Sequence, residues 1–290
     1  MSNSILIKKK INPFDKTITV PGDKSLSIRW VLFSSLASGI SIAKNLLMSE
    51  DVLAAIRAIK KLGIKVNINK NICKIYGKGI NGYKYKKNLI INAQNSGTLG
   101  RLILGLLVNT PFPIKLIGDK SLSKRDFKRI SDPLSKFGAN FKLKKNKFLP
   151  LIINGSKNLN PINYYENKGS AQCKSAVIFG GIRANGKTII KAKKSRDHTE
   201  LFCKYLKLPI KVQKKGNLDI IQIDQVKKIQ RIKYNIPSDI SSSAFFIVLT
   251  ILSKSSKLII KNVNINQSRI GLITILKNMG AKIIFKNIEI

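Results

Sequence analysis

Four short stretches rich in Gly, Ser, Asn and Asp run straight into apolar segments of helical length, and they recur at nearly constant spacing. They are Pro21-Gly22-Asp23-Lys24-Ser25, Asn95-Ser96-Gly97-Thr98, Gly169-Ser170-Ala171-Gln172 and Pro237-Ser238-Asp239-Ile240-Ser241. The separations from Ser25 to Thr98, from Thr98 to Ser170 and from Ser170 to Ser241 are 73, 72 and 71 residues. A chain with such a period builds one supersecondary unit several times, which constrains its fold more than any composition value. Small hydroxyl residues at a helix start leave backbone N–H groups directed outward, and the positive end of the helix dipole favours an anion there. The repeated entries therefore point to an anionic substrate.

Each repeat continues in the same order. A polar turn leads from the helix into a strand: Ile40-Ser41-Ile42, Ile114-Lys115-Leu116-Ile117, Thr188-Ile189-Ile190 and Leu258-Ile259-Ile260. A second helix follows, clearest where Val52, Ala55, Ile56, Ile59 and Leu62 share one face and Arg57, Lys60 and Lys61 the other. It stops at Gly63, and Ile64, Val66 and Ile68 then alternate with Lys65 and Asn67 as a half-buried strand. The same ending recurs at Phe137-Gly138-Ala139 and Met279-Gly280-Ala281, while Leu208-Pro209-Ile210 is expected to use Pro as its stop. The unit reads strand, helix, strand, helix, strand, strand, an α/β architecture.

The first helix of each unit is apolar nearly all round, as in Leu102–Val108 and Ala244–Leu249, and is expected to be buried on every side. Neither run approaches the 18 or so apolar residues of a membrane span, and no signal-peptide pattern opens the chain. A hydrophobic content of 43% suffices for buried cores, and Cys73, Cys173 and Cys203 form no C-x-x-C pair. These features point to a soluble, unprocessed, cytoplasmic protein without a disulfide framework or metal site.

Lys and Arg number 54 against 14 Asp and Glu, a formal charge of +40. A basic nucleic-acid-binding protein is one reading of that excess. Against it, the lysines are spread through every repeat at solvent positions of amphipathic elements, and aromatics for base stacking are few at 7%. Compositional drift towards Lys, Ile and Asn accounts for the same numbers, with long-range attraction of anionic substrates as a by-product. Gly181-Ile182-Arg183-Ala184-Asn185-Gly186-Lys187-Thr188 matches the phosphate-loop pattern, but it follows an apolar helix and opens a strand, the reverse of the order that loop requires.

Five motifs carry a resemblance to a known family. Pro21–Arg29, Asn92–Arg101, Gly118–Arg125, Ser170–Ser175 and Ser195–Glu200 resemble, in order, the signatures of 5-enolpyruvylshikimate-3-phosphate synthases, over a span from about Ile11 to the last residue. The sister enolpyruvyl transferases of cell-wall synthesis carry an Asn-Lys-Asn start where this chain has Asp23-Lys24-Ser25. The resemblance implies the enolpyruvyl transferase fold, two domains each of three such units, with four of the six units present here. The start of the split domain would lie in 1–20, a complete three-unit substrate-binding domain in 21–235, and the first unit of the second, truncated domain in 236–290. It implies transfer of the enolpyruvyl group of phosphoenolpyruvate to the 5-hydroxyl of shikimate 3-phosphate, with no cofactor, no metal, no nucleic-acid or membrane partner, and a monomer when complete.

Position by position, the resemblance makes Lys24 the catalytic lysine touching both substrates. It assigns Ser25, Arg29, Ser170, Ala171, Gln172, Ser195 and Arg196, with Lys24, to shikimate 3-phosphate, and Asn95, Gly97, Thr98 and Arg125, with Lys24, to phosphoenolpyruvate. Ser25 taken alone is an N-cap, and Lys24 taken alone is a surface lysine. Asp126 stands where the family has Pro, so a carboxylate is expected to compete for Arg125. Asp197-His198-Thr199-Glu200 reads as a capping box with His198, the sole histidine, as a structural part of the turn, and Asp239 reads as a cap on the fourth helix.

Counterparts of the family's general-base Asp, acid/base Glu, two further arginines and a late lysine find no place in these four units. The run Ile283–Ile290 reads as strand-rich with no stop signal, so the chain is expected to be a fragment of a longer product and inactive alone. A non-catalytic phosphoshikimate-binding remnant is the alternative.

Overall fold

The computed structural model describes residue 6 and residues 11–287. In chain order, β1 (Asp15–Ile18) is followed by α1 (Lys24–Leu36), β2 (Ala37–Lys44), α2 (Glu50–Lys61), β3 (Lys65–Asn69) and β4 (Ile72–Lys78). The next repeat contains β5 (Leu89–Asn92), α3 (Gly97–Leu106), β6 (Ile114–Ile117), a 3-10 turn at Leu122–Lys124, α4 (Lys128–Ser135), β7 (Asn140–Lys144) and β8 (Phe148–Asn154). The third has β9 (Asn163–Glu166), α5 (Ala171–Gly181), β10 (Thr188–Lys193), α6 (His198–Tyr205), β11 (Ile210–Lys215) and β12 (Leu218–Ile223). Two short strands, β13 (Ile229–Gln230) and β14 (Lys233–Asn235), precede α7 (Ile240–Leu252), β15 (Lys257–Ile260) and α8 (Gly271–Asn278). The chain divides into two compact units, Lys24–Ile236 and Met1–Asp23 with Pro237–Ile290.

In the larger unit each repeat makes one mixed sheet. β5 pairs parallel with β6, and β6, β8 and β7 continue antiparallel; β9, β10, β12 and β11 repeat that scheme. The sheet of the first repeat has β2, β4 and β3 antiparallel, and the parallel neighbours of β2 are β13 and β14, arriving from the far end of the unit with Ile229 opposite Ala37 and Lys233 opposite Ile42. In the smaller unit β1 pairs parallel with β15, from Asp15 opposite Lys257 to Ile18 opposite Ile260. The β5–β6 and β9–β10 pairs are each joined through an intervening helix, as a parallel connection demands.

The α1, α3 and α5 helices form the core of the larger unit. α1 is buried from Leu26 to Leu36, and Phe33 stacks on Phe179 and Phe202 with ring centroids 4.7 and 5.3 Å apart. The α2 stripe lies as its sequence pattern indicates, with Val52, Ala55, Ile56 and Ile59 buried and Arg57 exposed. Gly63, Gly138 and Gly280 close their repeats in the left-handed region at φ 87°, 108° and 91°. In the third repeat Lys207 takes that conformation at φ 54°, so Lys207 and not Pro209 turns the chain; Pro209 only bars helix beyond it. The phosphate-loop look-alike joins the end of α5 to β10, with Arg183 buried and donating to the Ile80 carbonyl.

Two expectations fail in the smaller unit. The helix α7 is not buried on every side: only Ile240 and Ser243 are fully covered, and Phe245 and Leu252 are 80% and 79% exposed. The reason is the number of partners. In the larger unit three apolar helices cover one another, whereas among the described residues of the smaller unit α7 has no second helix of its kind. A groove of about 390 Å³ lined by Pro13, Phe14, Ile18, Phe246, Leu249 and Leu258 is left beside it. The stretch from Ile283 to Asn287 forms no strand, because no described strand lies alongside to complete a ladder, and Ile288, Glu289 and Ile290 lie outside the described residues. No helix of the described residues is long and apolar enough to cross a membrane.

α3 and α5 approach most closely at Gly105, where an added Cβ would sit 2.1 Å from the Ala176 carbonyl oxygen and 2.9 Å from Phe179 Cβ. Backbone cannot yield there without separating the helices. Gly105→Ala is therefore expected to cost about 1–3 kcal/mol of stability. Thermal unfolding of the variant checks this, and a melting temperature equal to the parent's would show that the helices are not in backbone contact.

Candidate active site

The helix starts of the larger unit are built in different ways. Ser96 caps α3 by accepting the Leu99 N–H, and Ser170 caps α5 by accepting the Cys173 N–H, both at 3.3 Å. The loop into α5 is pinned by buried Glu166, whose carboxylate accepts the Ser170 N–H at 2.7 Å and the Lys168 N–H at 3.2 Å. α1 begins at Lys24, so Ser25 sits inside the first turn and is not an N-cap. At α6 the expected capping box is absent: Asp197 makes no side-chain capping bond, and Glu200 faces inward to a buried lysine. Burial of that carboxylate next to a cation outweighs the gain from a local backbone bond. His198 is buried as the first residue of α6. In the smaller unit Asp239 does cap α7, accepting the Ser241 and Ser242 N–H groups.

The starts of α3 and α5 stand side by side. Gln172 donates through Nε2 to Thr98 Oγ1 at 3.1 Å and accepts from Arg101 Nη1 at 2.5 Å through its other terminal atom. Arg125 donates to Asn95 Oδ1 at 3.2 Å. A Cβ on Gly97 would lie 3.0 Å from Arg125 Nη1 and 3.2 Å from Arg101 Nη1, so the two guanidinium groups flank the bare backbone of this residue. Asp126 does not compete for Arg125. Its carboxylate lies 3.7 Å from Lys147 Nζ and accepts the Arg129 N–H at 3.4 Å, which turns it away.

Arg129 completes the cationic group, donating through Nε to the Cys173 sulfur at 3.3 Å, a bond that raises its pKa. Burial, aided by the Arg129 and Arg125 charges, lowers that of Arg101. Three arginines held this close concentrate positive potential and offer planar, forked donors, an arrangement suited to carboxylate or phosphate. Nε of Arg101 is buried without a hydrogen-bond partner among the described residues.

A second network joins α1, α5 and α6. Arg29 donates through Nε to Thr199 Oγ1 at 2.7 Å, through Nη2 to Ser175 Oγ at 3.2 Å and through Nη1 to the Ser25 carbonyl at 3.0 Å, while the Thr199 and Ser175 hydroxyls are 2.7 Å apart. Behind it, fully buried Lys174 meets Glu200 at 2.7 Å and Asp219 at 3.9 Å, and reaches the Ser195 carbonyl at 3.5 Å. Burial pushes the Glu200 carboxyl up from its ordinary value, opposed by the Lys174 charge. Ser170, Ala171 and Gln172 are partly exposed at the start of α5, and Arg196 is exposed beside half-buried Ser195.

Lys24 is the first residue of α1. Its ammonium lies 3.5 Å from the Asp51 carboxylate at the start of α2, with its side chain 49% exposed. A pair so open to solvent is worth at most about 1 kcal/mol, so Asp51 competes only weakly for this lysine.

The structure thus brings Asn95, Gly97, Thr98, Arg125 and Gln172 into one group and ties Ser25 to Arg29 in another. Sequence reasoning passed over Arg101, Arg129, Glu166 and Lys174 as site residues and read Glu200 as part of a capping box. For Lys174 a signal existed, because a lysine within an otherwise apolar, wholly buried helix requires a carboxylate partner. For Arg129 the charge excess hid it among 54 basic residues.

The family model for EPSP synthase (3-phosphoshikimate 1-carboxyvinyltransferase) matches residues 8–289. A protein of Caldicellulosiruptor bescii named 3-phosphoshikimate 1-carboxyvinyltransferase is 44% identical over 285 residues, covering 97% of this chain and 64% of the relative. Its namesake from Leuconostoc mesenteroides is 39% identical, covering 98% and 64%. Among solved structures, the EPSP synthase of Acinetobacter baumannii superposes with a TM-score of 0.89 at 34% identity, over 97% of this chain and 63% of that one. The chain therefore spans a little under two thirds of the length of the proteins it matches.

At Gly97 an added Cβ would press on the side-chain ends of Arg125 and Arg101 and touch Leu122 at an ordinary 3.7 Å, with no backbone in the way. Gly97→Ala is expected to keep the melting temperature within about 2 °C of the parent, less than 1 kcal/mol for a domain of this size, while displacing both guanidinium groups. Side-chain Nε resonances of Arg101 and Arg125 report the displacement; unchanged resonances would show that neither group faces Gly97.

Proposed function

The chain belongs to the EPSP synthase family, and on that premise we propose that it carries the phosphoshikimate-binding part of an enzyme transferring the enolpyruvyl group of phosphoenolpyruvate to the 5-hydroxyl of shikimate 3-phosphate. The carrying observation is the hydrogen-bonded junction of Thr98, Gln172 and Arg101, where the starts of α3 and α5 meet among three arginines. Both substrates are phosphorylated carboxylates, and such a junction is suited to them.

In this reading Ser25, Arg29, Ser170, the Ala171 backbone, Gln172, Ser195 and Arg196 hold shikimate 3-phosphate. Asn95, Gly97, Thr98 and Arg125 hold phosphoenolpyruvate, with Arg101 supplying a further donor. Lys24, released from Asp51, touches both and stabilises charge as the tetrahedral adduct forms and collapses. Residues 21–235 act as the substrate-binding domain, and residues 1–20 with 236–290 begin a second one. The open apolar side of α7 supports this last assignment, since in the larger unit such a helix is covered by two others of its kind.

Calorimetry on the 290-residue chain tests the binding half. Shikimate 3-phosphate is expected to bind weakly with no phosphate release when phosphoenolpyruvate is added, whereas no heat with shikimate 3-phosphate, or steady phosphate release, would overturn the reading. In a version completed with two further units, Lys24→Met is expected to lower kcat at least about 10²-fold, roughly 2.7 kcal/mol, because it removes a donor used mainly in the transition state. Its melting temperature should hardly move, given the solvent-exposed Lys24–Asp51 pair. A variant within twofold of the parent would place the chemistry elsewhere.

A further inference from the structure

Lys174 is fully buried in a helix whose other inward residues are apolar or small, and the chain has only 14 acidic residues, yet two of them, Glu200 and Asp219, are placed within 4 Å of its ammonium. A buried ion pair contributes no more to stability than apolar side chains of the same volume, so stability alone does not explain this arrangement. Its connections extend to the surface. Lys174 and Ser175, adjacent on α5, grip Glu200 and Thr199, adjacent on α6; Thr199 and Ser175 in turn hold the Arg29 guanidinium; and the same ammonium reaches the carbonyl of Ser195 in the turn that ends at α6. Two positive charges, Arg29 and Lys174, thus face two negative ones, Glu200 and Asp219. One oxygen each of Glu200 and Asp219 has no hydrogen-bond partner among the described residues, and the Lys174 ammonium lies within 4 Å of both carboxylates.

We propose that Lys174 is a positioning residue, which from within the core fixes the first turn of α6 and the Ser195–Arg196 turn against Arg29, so that these segments present a single phosphate-binding surface. Lys174 touches no ligand; it acts through Glu200, Thr199 and the Ser195 carbonyl. The phosphate half of this statement rests on the function proposed above, whereas the ordering of the turn does not depend on it.

The test is the double variant K174M/E200Q in the 290-residue chain, which removes the closer ion pair at nearly constant volume and leaves Asp219 without the ammonium 3.9 Å away. Amide hydrogen exchange at Ser195, Arg196 and Asp197 is expected to rise about tenfold without ligand, as a turn released from the core opens locally. The affinity for shikimate 3-phosphate is expected to fall about tenfold, a typical consequence of displacing a binding group by a fraction of an ångström. Unchanged exchange at the turn overturns the proposal whatever the ligand does. Faster exchange in a chain whose parent shows no heat with shikimate 3-phosphate keeps the positioning role and overturns the phosphate reading; faster exchange with undiminished affinity overturns the link between the two. If K174M/E200Q does not fold, K174R decides, because its guanidinium can still pair with Glu200 but is too broad to keep the Ser195 carbonyl in place. Faster exchange at the turn with parent-like melting supports positioning, and parent-like exchange overturns it.

Discussion

The backbone contact between α3 and α5 is the constraint on which the larger unit depends. Gly105 lets α3 come so close that the Ala176 carbonyl lies where a Cβ would be. At that separation the two helix starts are neighbours, and Thr98 and Gln172, far apart in sequence, can share a hydrogen bond. The positive ends of two helices and the guanidinium groups of Arg101 and Arg125 then occupy one small region, a repulsive arrangement. Apolar burial along the rest of both helices offsets that repulsion, so the core holds the site in a geometry that its charges alone would disperse.

Charge is managed differently at depth and at the surface. Most lysines are solvated, and their pairs, such as Lys128–Asp132 and Lys257–Asp15, are too exposed to matter much to stability. Inside, Lys174 is matched with Glu200 and Asp219, and Arg183 is buried against the Tyr83 ring and the Ile80 carbonyl. Burial pulls the Arg183 pKa down to about 10, so its charge survives at neutral pH. Two of the 14 carboxylates thus meet fully buried Lys174, where an unpaired cation would be costly, whereas Arg183 is satisfied without one.

The smaller unit shows what the repeat lacks when it stands without companions. Its α7 has the same apolar composition as α3 and the same polar entry, capped by Asp239. Without neighbours its Phe245, Leu249 and Leu252 remain in solvent. Exposed apolar surface of that kind is characteristic of interaction sites.

The repeat, the order of its elements and the helix entries were legible from residues alone, because period, glycine stops and capping residues act over a few positions. Local signals also sufficed to dismiss the phosphate-loop pattern, since the element before and after it could be read directly. The exchange of first strands, with β14 joining β2 and β1 joining β15, was not legible, because strand pairing depends on which edges meet in space. The same holds for Glu200: its spacing from Asp197 satisfied a capping box, but a buried lysine on the preceding helix of the same repeat competed for the carboxylate and won. Sequence by itself determined the unit and the residues placed at its helix starts. Only the tertiary structure decided which of those residues meet, because contacts between Arg101 and Gln172, or between Arg29 and Thr199, are set by helix packing across separations of 71 and 170 positions, which no local pattern encodes.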